Sequence, residues 1–189
     1  MSYWMGEAIA HTIVSFGFED GSRLAFSIET RKESHEGFSS IAGFFKRYEL
    51  AIVAADERDV VRARSNIRGE DVRIYRLRMT PENARRLLRE YIEEANELAH
   101  TPRFYNTLTS NCTTLVFDMV RVIHPRLPLD PRVIFAGYLP NYAYAVRATD
   151  TSMPFETLRE LSRIHDKAAR ADADPNFSAR IREGIPVPH

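Results

Sequence analysis

What the chain lacks narrows the field first. It holds one cysteine in 189 residues, so no intramolecular disulfide can form. A lone cysteine suits the cytosol and equally a periplasmic thiol enzyme. No second cysteine is present to complete a zinc site, and the spacings of the six histidines match no metal motif. There is no phosphate-cradling glycine loop and no dinucleotide fingerprint, and no metal or cofactor is expected. No apolar run approaches the ~18 residues of a membrane-spanning helix, so no transmembrane segment is expected in this chain. The opening residues carry neither a basic region nor a long apolar run, so they do not read as a signal peptide. With Trp4 and Met5 so near the start, the chain reads as a domain excised from something longer. An excess of one charge is missing too: Lys+Arg and Asp+Glu are both 26. That balance gives no bulk-charge reason to expect nucleic acid as a partner.

What is present is an ordinary globular composition, 44% hydrophobic and 28% charged, long enough for one domain with a sizeable core. Residues 9–18 are β-branched and aromatic, Asp20-Gly21 is a turn signal, and residues 24–30 read as the returning strand. Residues 31–47, with Phe38, Phe44 and Phe45, read as a loop or short helix over the core. Residues 48–55 form a further predicted strand, and Val72, Ile74 and Leu77 mark another. Between them, Val60, Val61 and Ala63 predict a short helix among Arg58, Arg62, Arg64 and Arg68. Those arginines read as a solvated face with local ion pairs, or more sharply as a contact for an anionic headgroup or phosphate.

Thr80-Pro81 opens a helix, a capping hydroxyl followed by proline at the first helical position. Ala84, Leu87, Leu88, Tyr91, Ile92, Ala95 and Leu98 continue it as one apolar stripe to about His100. A second helix starts at Cys112, buries Leu115, Val116, Met119, Val120 and Ile123, and stops at Pro125. Residues 125–140 are proline-rich and irregular, and residues 141–148 and 155–169 read as helical. The domain is expected over 3–165, with 166–189 as a polar, loosely held C-terminal tail.

Ser110 and Asn111 are good N-cap residues, so Cys112 falls in the first turn of a buried helix. Free backbone N–H groups and the positive end of the helix dipole lie there, and both favour a thiolate. The same N–H groups can hold an oxyanion. The plainer reading of Cys112 is a small buried hydrophobe. A thiol enzyme needs a base, and His11 alone among the histidines sits inside a strongly predicted strand. His100 and His124 are at helix C-termini, and His35, His165 and His189 lie in polar segments. The imidazole needs a third group to orient it. The returning strand offers Ser27, Glu29 and Thr30. A plain two-residue turn sets His11 opposite Thr30; one bulge brings Glu29 alongside, and the chemistry of a carboxylate favours Glu29. Tyr105 and Asn111 are further candidate donors near the oxyanion, and read equally as loop and capping residues.

Residues 10–18, 27–33, 56–60 and 105–114 together resemble the Lnb N-terminal periplasmic domain family. The resemblance rests on the Asn111-Cys112-Thr113-Thr114 block combined with the His11 strand and the Ser27-Ile28-Glu29-Thr30-Arg31 strand. It runs from about Tyr3 to at least Phe155. It implies an α+β fold of circularly permuted papain-like (NlpC-type) order, with an antiparallel sheet packed on the helix that bears Cys112. It also implies a periplasmic domain of a larger inner-membrane protein. The implied activity is a lipoprotein N-acyltransferase: Cys112 takes an acyl chain from a phospholipid as a thioester, and the chain passes to the α-amine of a lipoprotein's terminal cysteine. Two other readings stand beside it. One is a cell-wall amidase or cysteine peptidase of NlpC type acting on a peptidoglycan peptide. The other is a non-catalytic domain that binds a lipid or a partner. A long apolar channel at the site favours acyl chains and an open polar groove favours peptides.

Overall fold

The computed structural model describes residues 1–31, 49–104 and 111–188. Phe38, Phe44, Phe45 and Tyr105, singled out above, lie outside the described residues. Among the described residues, six strands form two antiparallel sheets of three strands each. Strands β1 (Ser2–Met5), β2 (Ile9–His11) and β6 (Asp71–Val72) make one, with β1 central. Strands β3 (Ile13–Gly17), β4 (Arg23–Arg31) and β5 (Glu49–Asp56) make the other, with β4 central. The fold is α+β.

The strand expected over 9–18 is therefore two strands in two sheets, switching at Thr12. The alternation of the sequence runs straight through this point. What breaks the strand is tertiary: Thr12 is buried, and its hydroxyl lies 3.5 Å from that of Thr113 on a helix. The hairpin between β3 and β4 forms with one extra residue. Phe18 N–H donates to Ser22 O and Gly21 N–H donates to Phe18 O, both at 3.0 Å. Gly21 has φ +86°, the left-handed conformation that closes this kind of bulged turn. As a result Ile13 pairs with Ser27 and Gly17 with Arg23. The bulged alternative is the one realised, and it aligns the line of β3 back toward His11 with Glu29 rather than Thr30.

Helix α1 (Glu57–Arg62) runs into a single π-helical turn, Ala63–Ile67. Helix α2 (Pro81–His100) is capped by Thr80, whose Oγ1 accepts from Asn83 N–H. Helix α3 (Cys112–Ile123) packs against α2 and β4, and α2 packs against β5. Their apolar stripes close one core with Phe16, Phe26, Ile28 and Leu50. Tyr91 meets Phe16 and Phe26 at ring-centroid distances of 5.9 and 4.9 Å. Each such side chain taken out of water contributes about 1.5–3 kcal/mol, which holds α3, and with it Cys112, firmly on the sheet.

The chain after β5 departs from expectation in four places. Only Asp71–Val72 pairs as a strand where Val72, Ile74 and Leu77 suggested a longer one, and Leu77 is exposed. Helix α4 (Leu139–Ala145) begins before residue 141 because Pro140 suits its first turn. The helix expected over 155–169 is broken into α5 (Phe155–Leu161) and α6 (His165–Arg170). At the break Ile164 N–H donates to Val72 O at 3.0 Å, and Ile74 N–H donates to Ser162 O at 2.8 Å. Those long-range bonds outweigh local helix propensity. The stretch expected to be a loosely held tail is packed: α6 and α7 (Phe177–Arg180) bury Ala168, Ala171, Phe177, Ile181 and Ile185 with Ile164 against Val61 and Val72.

Candidate functional site

Helix α3 starts at Cys112 because Asn111 caps it. Asn111 Oδ1 accepts from the N–H groups of Thr113 and Thr114, both at 2.8 Å, and Thr114 Oγ1 accepts from Asn111 N–H at 2.9 Å. This reciprocal arrangement is a capping box. Of the two roles open to Asn111, its oxygen takes the cap, and its Nδ2 donates to Ile134 O at 3.3 Å. The cap engages the Thr113 and Thr114 amides. Asn111 Oδ1 does not engage the amide of Cys112 itself.

Cys112 is 8% exposed, and its Sγ lies 3.9 Å from Thr113 Oγ1. Burial pushes its thiol pKa up, hydrogen bonds with Thr12 and Thr113 pull it part of the way back, and the negative charge of Glu29 adds to the rise. The position at a helix start favours a thiolate, whereas burial and the Glu29 charge act against it. Tyr91 lies close below. Its phenol is fully buried with no hydrogen-bond partner among the described residues, and burial, then the proximity of Cys112, raises its pKa.

His11 ends β2, one residue before the sheet switch. Its Nε2 lies 2.6 Å from Ser27 Oγ and 3.2 Å from Glu29 Oε1. Ser27 Oγ in turn donates to Glu29 Oε1 at 2.7 Å. The hydroxyl has one hydrogen, and the carboxylate can only accept. The short contact is therefore His11 Nε2–H donating to Ser27. This network assigns the neutral ring to the Nε2–H tautomer, with Nδ1 as its basic atom. Burial alone would raise the Glu29 carboxyl, but the bonds from His11 and Ser27 and the Arg64 charge hold it well below the usual carboxylate range.

The structure thus brings Ser27 and Glu29 onto His11, and His11 and Cys112 are the chain neighbours of Thr12 and Thr113, which meet. Among the described residues no hydrogen bond joins Cys112 Sγ to the imidazole. Thr30 takes no part, and Tyr105 lies outside the described residues.

Sequence reasoning missed Arg64. Its Nη2 donates to Glu29 Oε1 at 2.7 Å and its Nη1 to Glu70 Oε2 at 3.4 Å. Glu70 also accepts from the Ser2 hydroxyl. The neighbouring arginines follow the plainer expectation: Arg62 forks onto Asp172, and Arg68 Nη1 lies 3.8 Å from Glu70 Oε1. Nothing in the local sequence separates Arg64 from them. An open cleft of about 490 Å³ is lined by Tyr3, Trp4, Glu7, Arg68, Glu70 and Arg159 among others, and it borders the network at Glu70. Neither Cys112 nor His11 lines it, so it does not decide between acyl chain and peptide.

The family model of the Lnb N-terminal periplasmic domain matches residues 1–163. No curated protein and no solved structure matches the chain. The matched span includes Cys112, His11, Ser27, Glu29 and Arg64, and ends before α6 and α7. No helix among the described residues is long and apolar enough to cross a membrane.

Proposed function

This chain belongs to the Lnb N-terminal periplasmic domain family, and from that premise we propose that it performs thiol-dependent acyl transfer, with Cys112 as nucleophile, His11 as base and Glu29 orienting the imidazole. The observation that carries the reading is the commitment of His11 Nε2–H to Ser27 and Glu29. It leaves Nδ1 as a lone pair held in one orientation on the chain beside Thr12, whose hydroxyl meets the neighbour of Cys112. A permuted papain-like order, histidine strand before cysteine helix, is part of the same proposal.

In the first step Nδ1 takes the Cys112 proton as the sulfur attacks an ester carbonyl of a phospholipid. The carbonyl–oxygen ester bond breaks, and the imidazolium returns its proton to the departing lysophospholipid hydroxyl. Cys112 then carries the acyl group as a thioester. In the second step the α-amine of a lipoprotein's terminal cysteine attacks the thioester and Nδ1 takes the amine proton. The carbon–sulfur bond breaks, an amide forms, and the proton goes to the released Cys112 sulfur. Glu29 stabilises the imidazolium in both steps, and the Cys112 amide faces the oxyanion. The buried, raised thiol is suited to this sequence when its proton moves directly to an adjacent base.

A second reading is favoured by that same burial: a non-catalytic domain that binds a lipid or protein partner, with Cys112 as a packing residue. The pH dependence of Cys112 alkylation by iodoacetamide separates the two. The acyl-transfer reading expects the alkylation rate, read across pH, to fall in His11→Ala, because the imidazole takes the proton of the raised thiol. Incubation with phospholipid vesicles should add one acyl mass to the Cys112 peptide, absent in Cys112→Ser and His11→Ala. An ordinary thiol titration that His11→Ala leaves unchanged, with no acyl adduct, would make this a binding domain.

A further inference from the structure

Arg64 is 7% exposed, a burial that arginine tolerates only when its charge is answered. Here two carboxylates answer it, Glu29 and Glu70. We propose that Arg64 is a positioning residue for His11, acting through Glu29; the role in catalysis rests on His11 being the base.

The geometry turns on one atom. Glu29 Oε1 accepts from Arg64 Nη2 at 2.7 Å and from Ser27 Oγ at 2.7 Å, and lies 3.2 Å from His11 Nε2. A carboxylate held by strand geometry alone is free to turn about its last torsion. The guanidinium removes that freedom and pins the oxygen that fixes the ring. The charges divide the same way. Glu70 also faces Arg68 at 3.8 Å, whereas Glu29 has Arg64 and, when protonated, His11 as its cations. With Arg64 removed, half-exposed Glu29 keeps Ser27 and His11 but no fixed cation.

The backbone that carries Arg64 is built to hold it. Arg64 lies in the π-turn Ala63–Ile67, and its carbonyl accepts from Glu70 N–H at 3.0 Å. π-turns within helices occur often at functional sites. The same turn is gripped from the C-terminal segment. Asn66 Nδ2 donates to Ala168 O at 2.9 Å and to Asp172 Oδ1 at 2.6 Å. Arg62 Nε donates to Asp172 Oδ1 at 2.8 Å. The turn has Arg64 directed to the site and Asn66 tied to residues beyond the matched span, and Arg62 just before it is tied there too.

The experiment reads the tautomer of neutral His11 by nitrogen-15 NMR, and the Cys112 alkylation rate across pH, in the full chain. The variants are Arg64→Met, Arg64→Lys, Glu29→Gln and Arg64→Met/Glu29→Gln. The wild type should show the Nε2–H tautomer alone, and Arg64→Met a mixture of both. Arg64→Met should slow alkylation about tenfold in the wild-type background, the scale of coupling between bonded neighbours, and less than about twofold in Glu29→Gln. A merely structural arginine gives equal effects in both backgrounds and leaves the tautomer pure, and either result overturns the proposal. Arg64→Lys keeps the charge but can reach only one of the two carboxylates, so it decides the matter if Arg64→Met does not fold. A mixed tautomer in Arg64→Lys supports the role, and a wild-type tautomer with a wild-type pH profile overturns it. A tautomer that responds to Arg64 while His11→Ala leaves Cys112 unmoved would sink the thiol chemistry and leave Arg64 as the residue that positions His11.

Discussion

The two larger of the three cores among the described residues are made differently. The core under Cys112 is closed by two helices of 20 and 12 residues, each presenting one apolar stripe to the β3–β4–β5 sheet. The C-terminal core uses helices of 6 and 4 residues, too short to be stable by themselves. It is fixed instead by a few fully buried apolar residues, Ile164, Phe177 and Ile181, and by polar cross-ties to α1 and the π-turn. The strongest tie is the buried carboxylate of Glu57, bound by Arg182 and by the Ser15 hydroxyl. A core made of long stripes spreads its stability over many residues. A core made of ties concentrates it in a few, and here those few also hold the turn that carries Arg64.

Phe177→Ala should therefore produce the largest loss. Removing a fully buried phenylalanine costs about 3–5 kcal/mol, including the cavity left behind. Urea unfolding should show that drop, and α7 has no second aromatic to fill the space. A cost under about 1 kcal/mol would mean that the C-terminal core adds little to the fold, and the contrast between the two cores would dissolve.

Arg182→Met comes next, at about 3 kcal/mol near neutral pH, because it leaves Glu57 buried without its cation. Burial by itself would raise the Glu57 carboxyl; Arg182 and the hydroxyls of Ser15 and Ser178 bring it below the ordinary value. A depressed carboxyl contributes stability above its unfolded pKa of about 4.3, and that contribution is lost as pH falls through the folded value. Without Arg182 only the raising influence of burial remains large, so Glu57 can take a proton and shed its penalty. The gap in Tm between wild type and Arg182→Met should accordingly begin to narrow above about pH 4.3, as Glu57 takes a proton in the variant, and go on narrowing below it as the wild type loses its ion pair. A gap of constant width across pH would mean that Arg182 acts through packing rather than charge.

The same contrast explains what the sequence could disclose. Helices α2 and α3 and strands β4 and β5 follow from periods of 3.6 and 2, and the caps at Thr80 and Asn111 from side-chain chemistry next to those stripes. The C-terminal core does carry a signal, since residues 177, 181 and 185 and residues 164, 168 and 171 are apolar at helical spacing. It is sparse among charged residues and prolines, and it needs Val61 and Val72 from elsewhere in the chain to become a core. The switch at Thr12 and the break at Ser162–Ile164 left no local mark because their causes are contacts with Thr113, Val72 and Ile74. At the candidate site, the contact of His11 with Ser27 and Glu29 was legible because their side-chain types carry recognisable chemistry at strand positions, and Cys112 was singled out by its place at a helix start. Arg64 was not, because what distinguishes it from Arg58, Arg62 and Arg68 is a carboxylate 35 residues away.

The smallest test sets the same residue at the same place in each core. Asn111 precedes α3 and Asn176 precedes α7, but only Asn111 makes a side-chain cap. Asn111→Ala should cost about 1 kcal/mol, since it orphans the amides of Thr113 and Thr114 in a buried helix start. Asn111→Ser, which can still cap, should recover most of that loss. Asn176→Ala should stay within about 0.5 kcal/mol, because its side chain satisfies no helix amide. Equal costs at the two positions would mean that α7 depends on its local ends as α3 does, and that the ties to Glu57 and Asp172 are not what holds the C-terminal core in place. If Asn111→Ser also keeps the alkylation profile of Cys112, the amide of Asn111 is not needed at the site, and its part there is to set where the helix begins.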